Sequence, residues 1–216
     1  MISECINEFT KESKVIHVII LAGGNSCRFK SNKLLYEIKG KPLFSYLIDN
    51  LKSCNDILLT VVTQYSEILR YCKNNNIVCA FEIDCKLGIS YSIRAGLDML
   101  MCNEPEEVVF MGADQPLITA QTIKSFHEAY KKSDKGLASF FVCGQPSNPA
   151  IFSKKYFESL KRLEGDHGGR KIINENIQDC FFYQIENSME VIDVDTEIQL
   201  DSIVAMLSND ISNINS

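Results

Sequence analysis

The 216-residue chain has no excess of positive charge, no apolar run long enough to cross a bilayer and no Cys-x-x-Cys pair. Its formal net charge of −6 argues against a nucleic-acid-binding surface spread over the whole molecule, although net charge says nothing about local patches. The longest apolar run near the start, residues 15–22, is interrupted by His17 and suits a buried strand rather than a membrane span. Residues 1–14 mix acids and bases around no apolar centre, so they read as a leader without a secretion signal. Nine cysteines, at 5, 27, 54, 72, 79, 85, 102, 143 and 180, make an odd count without paired spacing. That pattern speaks against a disulfide framework and a structural zinc site. It fits reduced thiols of a cytoplasmic protein, most of them small buried hydrophobes. Cys27 stands apart because it lies inside a glycine-rich loop.

What is present is an alternation of strands and helices. Strands are predicted over residues 15–21, 57–62, 77–81, 108–111, 137–142, 181–185 and 191–194. Helical spacing marks a segment opened by Pro42, with Leu43, Tyr46, Leu47 and Leu51 on one side. It recurs over 65–73, 90–101, from a Thr119 cap to about 131, over 153–163 and from near Thr196. Residues 84–88, the stretch holding Gly144, Pro146 and Pro149, and the polar segment 165–170 read as loops. His17 and His127 read as structural. No hairpin, internal repeat or linker is evident, so the pattern predicts a single domain over 15–207 with a flexible tail over 208–216. The expected fold is a three-layer α/β/α sandwich with a doubly wound, mostly parallel sheet. In such sheets the ligand sits beyond the carboxyl ends of the strands, where strand order reverses. The loops that follow strands are therefore the places to look.

Three of them carry unusual chemistry. The first reads Leu21-Ala22-Gly23-Gly24-Asn25-Ser26-Cys27-Arg28-Phe29, with Lys33 close behind. Two glycines let backbone N–H groups approach a phosphate, and Arg28 and Lys33 add fixed positive charge. It lacks the Gly-Lys-Ser/Thr ending of a Walker loop and is not Gly-x-Gly-x-x-Gly; Gly-Gly alone is compatible with a plain turn. The second is Gly112-Ala113-Asp114-Gln115-Pro116, where Asp114 either caps a turn or holds a metal. The third is Ile192-Asp193-Val194-Asp195-Thr196, whose alternating acids point to one face if the segment is a strand. Asp195 or Thr196 also suits the N-cap of the next helix.

In this order the motifs resemble the sugar-nucleotidyltransferase-like superfamily, and within it the molybdenum-cofactor nucleotidyltransferases, cytidylyl branch. Lys33-Leu34-Leu35, the run Pro146-Ser147-Asn148-Pro149-Ala150-Ile151-Phe152 and the run Gly165-Asp166-His167-Gly168-Gly169-Arg170 carry the last step. The resemblance covers roughly residues 15–206. It implies that Leu21, Ala22, Gly23 and Gly24, with Arg28 and Lys33, bind the triphosphate of CTP or GTP. It implies that Gly88 and Ser92 line the nucleotide pocket and that Asp114 and Asp195 hold Mg²⁺. Arg28, Lys33 and Asp114 would carry catalysis. Asn148, Asp166, Gly168 and Arg170 would face the acceptor, molybdopterin. His167, alone in a polar loop, reads as a surface residue with a secondary claim on the pterin.

The reaction so implied moves CMP from CTP to the terminal phosphate of molybdopterin, with loss of pyrophosphate, for a molybdenum hydroxylase. Guanylyl transfer to the same cofactor, or transfer to a sugar or polyol phosphate, would use the same loops. A non-catalytic cofactor carrier, or a binding domain without chemistry, would need neither the acids nor Lys33. No nucleic-acid or membrane partner is expected, and the expected state is a monomer or weak dimer.

Overall fold

The computed structural model describes residues 15–25, 32–100, 105–185 and 187–209. Nine strands appear among them: β1 (Ile16–Leu21), β2 (Glu37–Ile38), β3 (Lys41–Pro42), β4 (Ile57–Thr63), β5 (Val78–Phe81), β6 (Glu107–Gly112), β7 (Leu137–Val142), β8 (Gln145–Ser153) and β9 (Cys180–Tyr183). The helices are α1 (Leu43–Lys52), α2 (Ser66–Asn74), α3 (Ile89–Asp98), α4 (Ala120–Lys131), α5 (Phe157–Lys161), α6 (Gly169–Glu175) and α7 (Glu197–Asn209). Seven strands form one sheet in the order β5-β4-β1-β6-β8-β7-β9, and β2 pairs with β3 outside it. All pairings in the main sheet are parallel except those of β8, which runs against both neighbours. None of the described helices is long and apolar enough to cross a membrane.

Side-chain alternation in β1 splits the core in two. Val18 and Ile20 face one side, with Leu47, Ile48 and Leu51 of α1, Ile68 of α2 and Phe126 of α4. Ile19 faces the other, with Ile93 and Leu97 of α3, Leu160 of α5 and Ile172 and Ile173 of α6. Helices therefore cover both faces, and the strands read as near-continuous apolar runs because both their faces are buried. A third cluster joins Ile38 and Leu43 to Val194, Leu200 and Ile203, docking α7 beside the small β2–β3 ribbon.

Four sequence expectations need correction. The stretch with Gly144, Pro146 and Pro149 is not a loop: it is the start of β8, joined to β7 by a two-residue hairpin turn. Cys143 and Gly144 both have positive φ, 50° and 79°, as the twist of such a turn requires. Pro146 stands in the β7–β8 register opposite Phe141, but both prolines precede the part of β8 that also pairs with β6. Pro146 lies beyond the reach of β6, which pairs only from Ala150 onward, and Pro149 sits where the β7–β8 register shifts. Ser139 bridges that irregularity, its hydroxyl accepting from the Ser147 N–H at 3.1 Å and donating to the Ser147 carbonyl at 2.7 Å. Next, residues 191–194 do not form a strand. A 3-10 turn (Ser188–Val191) leads into an extended segment with no sheet partner, its Val194 N–H bonded to the Asp114 carbonyl. Finally, the polar run 165–170 ends inside a helix, since α6 begins at Gly169, and α7 carries regular structure past the expected start of the tail at Ser208.

Candidate active site

β1 is the point where strand order reverses: β4 lies on one side of it and β6 on the other. The carboxyl ends of β1 and β6 carry the first and second motif loops, and the Ala113 N–H bonds the Leu21 carbonyl at 3.1 Å, so the loops leave the sheet side by side. Between them opens a cavity of about 390 Å³, lined by Gly23, Gly24, Asn25, Lys33, Asp114, Asn148, Asp166 and Asp195 among others. That is the size range of small-ligand clefts. A second cavity of about 300 Å³ shares Leu21, Ile89 and Asn148 with it and is walled by Phe110, Phe152, Arg170 and Asp193.

Lys33 stands in a short 3-10 turn (Lys33–Leu35) anchored by the buried Leu34 and by the Asn32 side chain, which accepts from the Leu34 N–H. Its ammonium lies 2.7 Å from Asp114 Oδ2 and 2.7 Å from Asp195 Oδ1. Burial works to lower the pKa of this group, but the two carboxylates outweigh it and hold it above the ordinary lysine value. Thr196, not Asp195, caps α7: its hydroxyl accepts from the Gln199 N–H, while the Gln199 side chain accepts from the Asp195 N–H. Asp193 turns instead toward the second cavity. Burial first, then the negative fields of Asp114 and Asp195, raise its carboxyl to about 7. Gln115, fully buried, reaches from Asp114 to the Asn148 and Val191 carbonyls and ties the second and third motifs to β8.

The glycines have separate jobs. A Cβ at Gly23 would lie 2.6 Å from Cys85 Cβ, so only glycine lets the loop pass this close to the segment before α3. Gly88, with φ +144°, has its Cα pressed against the backbone of Gly165, and the Ser90 N–H donates to the Gly165 carbonyl. Gly88 thus shapes the cavity wall from behind without lining it. Ser92 lines the cavity but spends its hydroxyl on the Cys85 sulfur at 3.0 Å. Leu21 borders both cavities; Ala22 is fully buried beneath the loop. Of the residues expected on the acceptor side, Asn148 borders both cavities, Asp166 the first and Arg170 the second. Arg170 also donates to the Pro146 carbonyl. Gly168 borders neither and packs against Ile89 as the residue before α6. Arg28 lies outside the described residues, as does Cys27.

Sequence reasoning passed over the segment after β4. Thr63 Oγ1 donates to the Ala22 carbonyl at 3.0 Å, Gln64 Nε2 to the Gly23 carbonyl at 2.6 Å, and Tyr65 Oη to the Gly24 carbonyl at 2.8 Å. Their position at the carboxyl end of a strand beside β1 was the available signal. Asn25 adds to this frame, accepting from Gln64 Nε2 and donating to the Lys86 carbonyl.

Comparison with known proteins bears on the family and the fold. The chain is 32% identical over 120 residues to the bifunctional protein GlmU of Staphylococcus epidermidis, covering 54% of this chain and 26% of that protein. It is 33% identical over 119 residues to a probable molybdenum cofactor guanylyltransferase of Pyrococcus horikoshii, covering 54% of this chain and 57% of that one. The chain thus spans about a quarter of the length of GlmU and little over half that of the Pyrococcus protein. Its fold matches the crystal structure of molybdopterin-guanine dinucleotide biosynthesis protein A from Archaeoglobus fulgidus, with a TM-score of 0.70 at 15% identity over 90% of this chain and all of that one. Residues 18–180 match the profile of the MobA-like NTP transferase domain, and the chain belongs to that family of nucleotidyltransferases.

Proposed function

We propose that the chain transfers CMP from CTP to the terminal phosphate of molybdopterin, releasing pyrophosphate, in the maturation of a molybdenum hydroxylase. The observation that carries nucleotidyl transfer is the convergence of Lys33, Asp114 and Asp195 at the mouth of the glycine loop. Two carboxylate oxygens that each lie 2.7 Å from one ammonium also converge on one point where a cation fits. Mg²⁺ commonly takes one or two protein carboxylates and completes its shell with phosphate and water. The pair Asp114 and Asp195 would hold it. When bound, the ion would offset phosphate charge.

The attacking phosphate is already ionised near neutrality, so the reaction asks for no general base; it asks for in-line placement and neutralised charge. The first cavity would seat the nucleotide, with Lys33 offsetting charge on the departing pyrophosphate and Arg28 adding to it. Asn148, at the border of the two cavities, would mark the passage from nucleotide to acceptor, with Arg170 beyond it.

GTP is the second reading, favoured by the likeness to the probable molybdenum cofactor guanylyltransferase of Pyrococcus horikoshii. Pyrophosphate release with each of the four NTPs, Mg²⁺ and molybdopterin decides between them. CTP is expected to exceed GTP by about tenfold or more in kcat/KM. A preference for GTP would replace the cytidylyl assignment, and turnover only with a sugar 1-phosphate would overturn the acceptor. Asp114→Ala should remove turnover and leave the fold intact; near-normal activity would sink the metal assignment.

A further inference from the structure

We infer that Thr63, Gln64 and Tyr65 are positioning residues for the triphosphate: they turn the peptide units of the glycine loop so that its N–H groups face the cavity. This rests on the reading of the first cavity as the nucleotide site.

Three consecutive carbonyls, those of Ala22, Gly23 and Gly24, are each held by one of three consecutive side chains at 3.0, 2.6 and 2.8 Å. In a planar trans peptide the C=O and the following N–H point in opposite directions. Holding the carbonyls of 22, 23 and 24 therefore aims the N–H groups of Gly23, Gly24 and Asn25 away from segment 63–65. Gly23, Gly24 and Asn25 line the cavity, and residues 63–65 do not. The amides are thus turned toward the side on which the cavity and Lys33 lie, as an anion-binding nest requires.

Glycine makes such a device necessary. A Gly-Gly segment has access to most of backbone space, and its peptide planes would otherwise be fixed only when the ligand arrives. Gly23 cannot be exchanged for a stiffer residue, because a side chain there would collide with Cys85. Rigidity is instead supplied from outside the loop. Thr63, fully buried at the end of β4, also accepts the Tyr65 N–H at 3.1 Å, so the segment that orients the loop is itself braced. Fixing donors before the ligand binds is what raises affinity for a developing or standing negative charge.

The test uses Tyr65→Phe, Gln64→Ala and the double variant of the full chain, leaving buried Thr63 in place. Binding of CTP, GTP and inorganic tripolyphosphate is measured with Mg²⁺ by calorimetry, together with the melting temperature of the ligand-free protein. Each single change should weaken the nucleotide that the wild type binds, and tripolyphosphate with it, by about five- to tenfold, the double variant by more. The ligand-free melting temperature should stay within about 2 °C, since these bonds lie at the half-exposed edge of the fold. Unchanged affinity in the double variant overturns the inference. Weakening confined to the nucleotide, with tripolyphosphate unaffected, overturns it too, because the segment would then act on the nucleoside. A wild type that binds none of the three probes refutes the nucleotide site itself.

Discussion

Lys33 contacts two carboxylates, those of Asp114 and Asp195. A third, Asp193, is buried beside them, and burial first and their negative fields second act on it. Its carboxyl is raised from 3.8 to about 7, so the folded protein favours the neutral acid. A raised carboxyl contributes stability that is complete below pH 3.8 and is lost as pH rises through about 7. Asp193→Asn should therefore raise the melting temperature of the ligand-free protein at pH 8, by about 4 °C, and leave it unchanged at acid pH. Lys33→Met should lower it by a similar amount at pH 5 and pH 8, because a lysine held above its ordinary value contributes in full at every pH below that value. Thermal melts of both variants across that range check the signs; a pH-independent offset for Asp193→Asn would show that Asp193 is ordinarily ionised. At this scale the sequence was informative about residue types and poor about their roles. Asp114, Lys33 and Asp195 were joined as a set only by the resemblance of the three motifs to a family; taken alone, Asp114 read equally as a turn cap. That Asp195 contacts Lys33 while Thr196 caps α7 was not legible, because both residues satisfy the local rules for a cap.

Elements were readable where periodicity was uninterrupted. β1, β4, β6 and β7 and helices α1 to α4 follow from apolar runs and helical spacing, since both sheet faces and one helix face are buried. β8 was hidden because Pro146 and Pro149 argue against a central strand, and only the three-dimensional register shows that both precede the stretch of β8 that is paired on two sides. Its turn uses Cys143-Gly144, whose first residue is not one that signals a hairpin. The segment 191–194 failed in the opposite way: alternating apolar and acidic residues look like a strand, but Val194 is buried against α7, not in a sheet. The join between the turn before α3 and the turn before α6 was also invisible, because it depends on two glycine backbones in contact. Gly88→Ala tests that join. Its φ of +144° is strained for alanine, and the added carbon would meet the Gly165 backbone. A loss of about 2 kcal/mol or more in chemical denaturation is expected, with weaker nucleotide binding as the wall behind Ile89 shifts. A fully stable Gly88→Ala would mean that the two turns are not in contact.

Across the whole molecule, the first cavity draws its walls from segments far apart in the chain: the loop after β1, the segment into α3, the loop after β6, Asn148 of β8, Asp166 and Asp195. Their meeting is a product of strand order, which places β1 between β4 and β6, and of the long return that brings residue 195 back to Lys33. Sequence alone offered the switch-point rule and the motifs, and so the neighbourhood of the site, but not the second cavity or the segment at 63–65. A ligand held by all these walls binds only the folded chain, so occupancy must appear as global stability. At a nucleotide concentration of one hundred times Kd the gain is about 2.7 kcal/mol, and at about 2–4 °C per kcal/mol for a chain of this size the melting temperature should rise by about 5–10 °C. The rise should be larger with Mg²⁺ than with nucleotide alone, because a cation held as proposed by Asp114 and Asp195 would take phosphate oxygens for the rest of its shell. In Asp114→Ala the increment due to Mg²⁺ should vanish while any increment from nucleotide alone persists. If Mg²⁺ still adds its full increment in that variant, the metal is held elsewhere, and Lys33, Asp114 and Asp195 form a structural ion pair network instead of a site for chemistry.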